Sequence, residues 1–239
     1  MLEHQIKAVR RFRANAEAIV ELLKHYRAPV MQCPCCGESG RFALFGIPPR
    51  LNARCTSCDS LERHRFLQLF FERNGELVNG KDVLHFAPER AIRAHLSRAA
   101  RSYVGCDLYP EPQDMKVDIE KLAFEDGSFN LIICCHVIIC VDDRKALSEL
   151  HRVLRPGGVL LLTVPVIEGW DKTYEPGNVQ RGQEAFDSFG NADCVRLYGR
   201  DLRERIGQHG FRLSELTAVE PEVRKHGLLR GEKIFICTR

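Results

Sequence analysis

No stretch of this 239-residue sequence reaches the ~18 consecutive apolar residues that a membrane-spanning helix needs. Its most apolar runs, LIICCHVIICV at 131–141 and VLLLTVPVI at 159–167, have the length of buried strands. Residues 1–26 lack the uninterrupted apolar core of a secretory leader or transit signal, so a cytoplasmic protein with no membrane partner is expected. A charge surplus is missing as well. With 35 Lys+Arg against 32 Asp+Glu, the net charge of +3 excludes the block-basic profile of a dedicated nucleic-acid binder. The 44% apolar content excludes disorder. No internal repeat is visible.

Cysteine, by contrast, is abundant: 11 residues, at 33, 35, 36, 55, 58, 106, 134, 135, 140, 194 and 237. An odd number cannot all pair within one chain, which again favours a reducing compartment. Four of them read as Cys33-x2-Cys36, eighteen intervening residues, then Cys55-x2-Cys58. Two such pairs on tight turns bring four thiolates to the corners of a tetrahedron ~2.3 Å from Zn²⁺, and Pro34 and Gly37 suit the first turn. The spacing therefore predicts a structural zinc ribbon over 31–60 with metal ligands Cys33, Cys36, Cys55 and Cys58, a closed shell with no position for substrate. Cys35 is then a spectator. His64, six residues after Cys58, is either a further ligand or a helix-surface residue. Cys106, Cys134 and Cys237 read as core thiols.

Leu2, Ile6, Val9, Phe12, Ala16, Ile19, Leu23 and Tyr26 recur at helical intervals, predicting an amphipathic helix over 1–30. It either packs on its own protein or makes a homodimer contact. A linking helix, Leu61–Arg73 within 61–80, follows the ribbon. From residue 81, short apolar runs alternate with helical stretches: VLHFA (83–87), a helix over 89–100, YVGCD (103–107), MKVDI (115–119), LIICC (131–135), a helix over 144–154, and VLLLTVP (159–165). Such alternation predicts an α/β domain with a parallel sheet. A helix over 199–209 and two strands, 211–219 and 232–239, read as an antiparallel addition to its edge. Residues 166–197 show little periodicity but hold Trp170, Tyr174, Phe186, Phe189 and Arg196, and are expected to form a lid over the sheet's carboxyl edge.

Ligands of open parallel sheets bind beyond the carboxyl ends of the strands, where the strand order switches. The residues there are HFAPER, Asp107 of GCDLYP, Asp118 of VDIEKLAF, and Cys135-His136. The segments YVGCDLYP, VDIEKLAFEDGSFNLIICCHVIICVDD and LSELHRVLRPGGVLLLTVP resemble the class I S-adenosylmethionine-dependent methyltransferases, in their type 11-like branch. Together with CPCCG and RCTSCDSLERHR, the chain resembles a bacterial subfamily with an N-terminal zinc ribbon. The resemblance implies a Rossmann-like class I methyltransferase sheet over 81–239, mostly parallel with an antiparallel last strand. It also implies S-adenosylmethionine as cofactor, held among His85, Ala87, Pro88, Glu89, Asp107, Leu108, Asp118, Ile119 and Cys135.

The residue chemistry agrees with the implied cofactor. Asp107 can accept hydrogen bonds from both ribose hydroxyls, or cap a loop. Asp118 can accept from the adenine amine while Ile119 or Leu122 packs on the ring, or it can cap a helix. Glu89 can face the cofactor's ammonium or complement a helix dipole. The first-strand loop, Ala87-Pro88-Glu89, has no GxGxxG, which a phosphate-free cofactor tolerates and NAD does not. His136 is the candidate general base, and Tyr174 and Glu175, with Arg196 and Tyr198, are candidates for substrate contact.

Cys140 and Cys194 stand where the resembled chains carry histidines, which removes two possible bases. The expected function is methyl transfer to a small molecule such as a sugar, nucleoside or secondary metabolite. The alternatives are a non-methylating S-adenosylmethionine-dependent enzyme of the same fold, an RNA methyltransferase docking through its ribbon, and a catalytically silent scaffold. For the RNA reading, residues 1–80 offer only 12 Lys+Arg against 8 Asp+Glu.

Overall fold

Two hairpins with little apolar character precede the main sheet. β1 (Met31–Gln32) pairs antiparallel with β2 (Ser39–Gly40), and β3 (Ala43–Phe45) with β4 (Arg50–Arg54). The computed structural model describes residues 29–46, 49–177, 179 and 181–239; the helix expected over 1–30, with its dimer contact, lies outside them.

Helix α1 (Glu62–Arg73) follows, then β5 (Asp82–Phe86), α2 (Arg90–Ala99), β6 (Ser102–Asp107), β7 (Met115–Lys116) and β8 (Phe129–Cys135). After them come α3 (Asp143–Val153), β9 (Leu154–Thr163), α4 (Gln183–Phe189), α5 (Leu202–Gln208), β10 (Arg212–Thr217), α6 (Glu222–His226) and β11 (Lys233–Thr238). The seven-stranded sheet has the order β10-β11-β9-β8-β5-β6-β7. Its strands from β7 to β9 are parallel, and β11 runs antiparallel to both β9 and β10.

Consecutive apolar residues survive in β5 and β8 because both faces of the sheet are covered. With side chains alternating at period 2, Leu84, Phe86, Ile132 and Cys134 join the core under α3 and α5, while Val83, Leu131, Ile133 and Cys135 join the core under α1 and α2. Phe66, Leu67, Phe70 and Phe71 of α1 are buried in that second core. The helix expected to link two parts is thus a layer of the sandwich, and Met31–Arg239 forms a single compact unit.

Two strand boundaries differ from the sequence reading by more than two residues, and two short helices are additional. The strand expected over 115–119 ends at Lys116, where Asp118 turns the chain by accepting the Glu120 N–H at 2.9 Å. The fifth parallel strand starts at Leu154, five residues early, because pairing with β8 resumes at Phe129 across an irregularity where Gly157 has φ 76°. Helices α4 and α6, at seven and five residues, are too short to show a helical period.

Candidate functional site

The four predicted metal ligands converge. The sulfurs of Cys33, Cys36, Cys55 and Cys58 all lie within 4.8 Å of one another. Cys33 and Cys58 are 3.7 Å apart, and Cys36 and Cys55 3.9 Å. A tetrahedron with ~2.3 Å metal–sulfur bonds has edges of ~3.8 Å, so both spacing and donor chemistry fit a zinc ion. The two turns repeat one geometry: the Gly37 N–H donates to Cys33 O and the Asp59 N–H to Cys55 O, and both residues have positive φ, 80° and 59°. Cys35 is outside the set. His64 is no ligand: its Nδ1 accepts the Leu61 N–H at 3.2 Å, and its Nε2 faces Glu89 at 3.6 Å.

Arg65 fixes the ribbon to the sheet domain. Fully buried, it donates to the carbonyls of Ala53 (3.1 Å) and Ser60 (2.6 Å) in the ribbon, and to those of His226 (2.7 Å) and Gly227 (2.5 Å) after α6. Its guanidinium lies 4.4 Å from the Phe42 ring centre. His226 Nδ1–H donates to Gln32 O at 2.8 Å. Gly227 is required twice over: its φ is 60°, and a Cβ would approach Met31 Sδ at 2.6 Å and Phe42 at 3.1 Å.

At the switch in strand order, the chain leaves β5 and β8 through residues in the left-handed region, Ala87 (φ 47°) and His136 (φ 58°). Non-glycine residues there cost on the order of 1–3 kcal/mol, a strain that concentrates at functional sites. Between these exits lies a cavity of about 300 Å³, lined by Ala87, Asp107, Leu108, Asp118, Ile119 and His136. Asp107 Oδ1 accepts the Tyr109 N–H at 3.0 Å, which orients the carboxylate at the strand end. Val117 and Val137 add apolar walls, and Arg181, Asn191 and Asp193 close it from the 166–197 segment. Those last three carried no periodic signal in the sequence.

Four of the expected cofactor contacts sit elsewhere. His85 is fully buried on the α1/α2 face, where its Nδ1 meets the Tyr103 hydroxyl at 2.9 Å and its Nε2 meets Glu89 at 3.0 Å. Burial would raise the Glu89 carboxyl, but the His85 hydrogen bond and the nearby imidazoles outweigh it and hold it at about 2. Glu89 is therefore spent inside the protein. Pro88 is likewise absent from the cavity lining, and Cys135 packs into the core with Leu131 and Ile133. Reading strand ends as a block misses this, because alternate residues leave by opposite faces.

His136 stands between this cavity and a second one of about 570 Å³, sharing Asn191 with it. The second is walled by Phe45, Gly46 and Arg50 of the ribbon, Glu62 and Arg63 at the start of α1, the chain after β9, and the turn 229–233. Burial, with the Arg63 charge next, holds the His136 imidazole neutral down to about pH 3. Its Nε2 is buried without a partner.

Tyr174 and Glu175 do not join His136. Tyr174 pairs with Leu197 through the backbone and packs on Trp170, remaining about half exposed. Glu175 is engaged by Arg196 (2.5 Å) and Arg205 (3.1 Å) and lines a separate surface cleft. Arg196 and Tyr198 are buried: Arg196 donates to Ile138 O at 2.7 Å, and Tyr198 to Asp143 at 3.0 Å. Cys140 and Cys194, read from the sequence as a pair of lost histidines, meet each other, with sulfurs 3.8 Å apart.

Residues 89–162 match the family model described as a methyltransferase domain. A human thiol S-methyltransferase is 40% identical over 67 residues, 25% of this chain and 27% of that protein, so the chain spans about a quarter of the relative it matches. A probable S-adenosylmethionine-dependent methyltransferase of Mycolicibacterium smegmatis is 25% identical over 169 residues, 63% of this chain and 64% of that one. Among solved structures, the Burkholderia thailandensis 1,6-didemethyltoxoflavin-N1-methyltransferase, with 1,6-didemethyltoxoflavin and S-adenosylhomocysteine bound, superposes with a TM-score of 0.51. It is 15% identical and covers 72% of this chain and 75% of its own. Strand order, the antiparallel last strand and the matched segment together give the chain the fold of the class I S-adenosylmethionine-dependent methyltransferases, with a methyltransferase domain matched over residues 89–162.

Proposed function

We propose that this protein transfers a methyl group from S-adenosylmethionine to a small molecule, with a ribbon held by a structural zinc ion. The observation that carries the reading is the cavity at the carboxyl ends of β5, β6 and β8, with Asp107 and Asp118 on one side and Ala87 and His136 on the other. Asp107 serves the ribose hydroxyls, Asp118 the adenine amine, and Ile119 with Val117 the faces of the ring. The sulfonium supplies an electrophilic methyl, so the protein's task is to hold the acceptor in line and to take its proton. His136, at the junction of the two cavities, is placed to wall the reacting groups from water. Its depressed basicity suits hydrogen bonding better than proton abstraction.

Calorimetry with S-adenosylmethionine and S-adenosylhomocysteine tests the reading. Binding of both is expected, and no detectable binding of either would sink it. The four sulfurs predict one zinc per chain by elemental analysis.

A further inference from the structure

The charged residues around the larger cavity are mostly neutralised by one another. Arg50 is held by Glu62 at 2.8 Å, Lys233 by Glu215 at 3.2 Å, Glu168 by Arg203 at 2.7 Å, and Arg230 by Glu220. Two residues are not. Arg63 has no ion pair or hydrogen-bond partner for its side chain among the described residues, and its Nε is buried. Glu232 has a buried Oε2 with no partner. With His136 Nε2, three buried polar atoms thus line one cavity without partners. Folded proteins keep few such groups, and three converging on one space describe the complement of a missing ligand.

We propose that this cavity takes a hydroxyl-bearing carboxylic acid as methyl acceptor, with Arg63 binding the acid group and Glu232 removing the hydroxyl proton. The proposal rests on the methyltransferase reading above and assigns its acceptor. Arg63 presents a planar donor fork that suits a carboxylate, and the cavity's volume is that of a small-molecule site. Among the lining carboxylates, Glu232 has the buried oxygen without a partner. Burial first, then the Glu62 charge, pushes its carboxyl up to about 7, where a general base works best at neutral pH. His136 is much less basic.

The step balances without a further reactant. The acceptor's O–H bond breaks and its proton passes to the Glu232 carboxylate, while the oxygen forms a bond to the methyl carbon. The carbon–sulfur bond breaks with its electron pair remaining on sulfur. The products are a methyl ether and S-adenosylhomocysteine, and protonated Glu232 then loses its proton to water.

The test uses the full-length protein saturated with S-adenosylhomocysteine. Its affinities for 4-hydroxybenzoate and D-glucuronate are measured by calorimetry beside those for phenol and D-glucose. At least one acid is expected to bind about tenfold or more tightly than its neutral partner, and Arg63→Met to erase that preference while leaving S-adenosylhomocysteine affinity unchanged. With S-adenosylmethionine and the bound acid, Glu232→Gln is expected to lower kcat about 100-fold at unchanged KM and to remove the limb of the pH profile near 7. The proposal is overturned by neutral partners binding as well as the acids, by no binding of either acid, or by a Glu232→Gln variant that keeps its turnover and pH profile. Failure to bind S-adenosylhomocysteine at all would instead remove the methyltransferase reading beneath it.

Discussion

The two cavities that meet at His136 are built by opposite means. The smaller takes most of its walls from the ends of β5, β6, β7 and β8 and the loops directly after them, so those residues follow apolar runs at predictable places; only Arg181, Asn191 and Asp193 come from the 166–197 segment. The larger draws on β3 and the turn before β4, the first residues of α1, the exit of β9 and the turn before β11. These segments are as much as 180 residues apart and share no motif. A pocket at strand ends can be written locally, whereas a pocket between distant segments is assembled by packing.

The sharpest break between the two would come from removing the proposed zinc ion. Chelation is expected to unfold the ribbon, since structural zinc sites contribute folding free energy outright, and so to strip one wall from the larger cavity. Amide exchange should then rise over 31–60 while S-adenosylhomocysteine affinity changes less than about twofold; parallel loss of cofactor binding would mean that the cavities are not separable. Arg65→Met should come next. It removes the side-chain donor from the carbonyls of Ala53, His226 and Gly227, while Ser60 O keeps the Cys55 N–H, and a loss of about 3 kcal/mol in urea unfolding is expected.

Acidification probes the junction. Burial holds His64 at about 4 and His136 at about 3, below the ordinary imidazole value of 6.5. Unfolded chains therefore take up protons from pH 6.5 downward while folded ones do not. This contribution to stability is complete above 6.5 and declines as pH falls toward 4 and 3. Each imidazole should cost up to about 1.4 kcal/mol per pH unit in that window. Urea midpoints at pH 7 and 5 should show the slope, and His64→Gln and His136→Gln should each flatten it. If neither variant does, these imidazoles are not the source.

Asp107→Ala is expected to weaken S-adenosylhomocysteine binding about tenfold with little effect on acid binding, as calorimetry would show. The smallest change belongs to the thiols. Cys140 lines the smaller cavity and meets Cys194, which does not line it, so Cys194→Ala should alter S-adenosylhomocysteine affinity less than about twofold. Full turnover in both Cys140→Ala and Cys194→Ala would discard the idea that these cysteines divert the chemistry from ordinary methylation.

The parallel sheet and the four-cysteine cluster were legible because each follows from a local rule, strand alternation in one case and ligand spacing in the other. That Asp107, Asp118 and Ile119 lie at strand ends was legible for the same reason, and the structure brings the three to one cavity. His85, Glu89 and Cys135 misled because a strand end delivers neighbouring side chains to opposite faces, and only one face opens on the cavity. Glu175 misled because sequence does not show that Arg196 and Arg205 already hold it. Glu232 was invisible: a carboxylate in a turn reads as solvated until the ribbon is seated over it.

Arg65 also carries a consequence in time. Its acceptors at Ala53 and Ser60 lie close to it in the chain, and those at His226 and Gly227 are synthesised some 160 residues later. A ribosome-bound chain halted before residue 226 has no carbonyls to complete the guanidinium's shell, so its ribbon has no seat. One wall of the larger cavity thus waits on carbonyls synthesised some 160 residues after it.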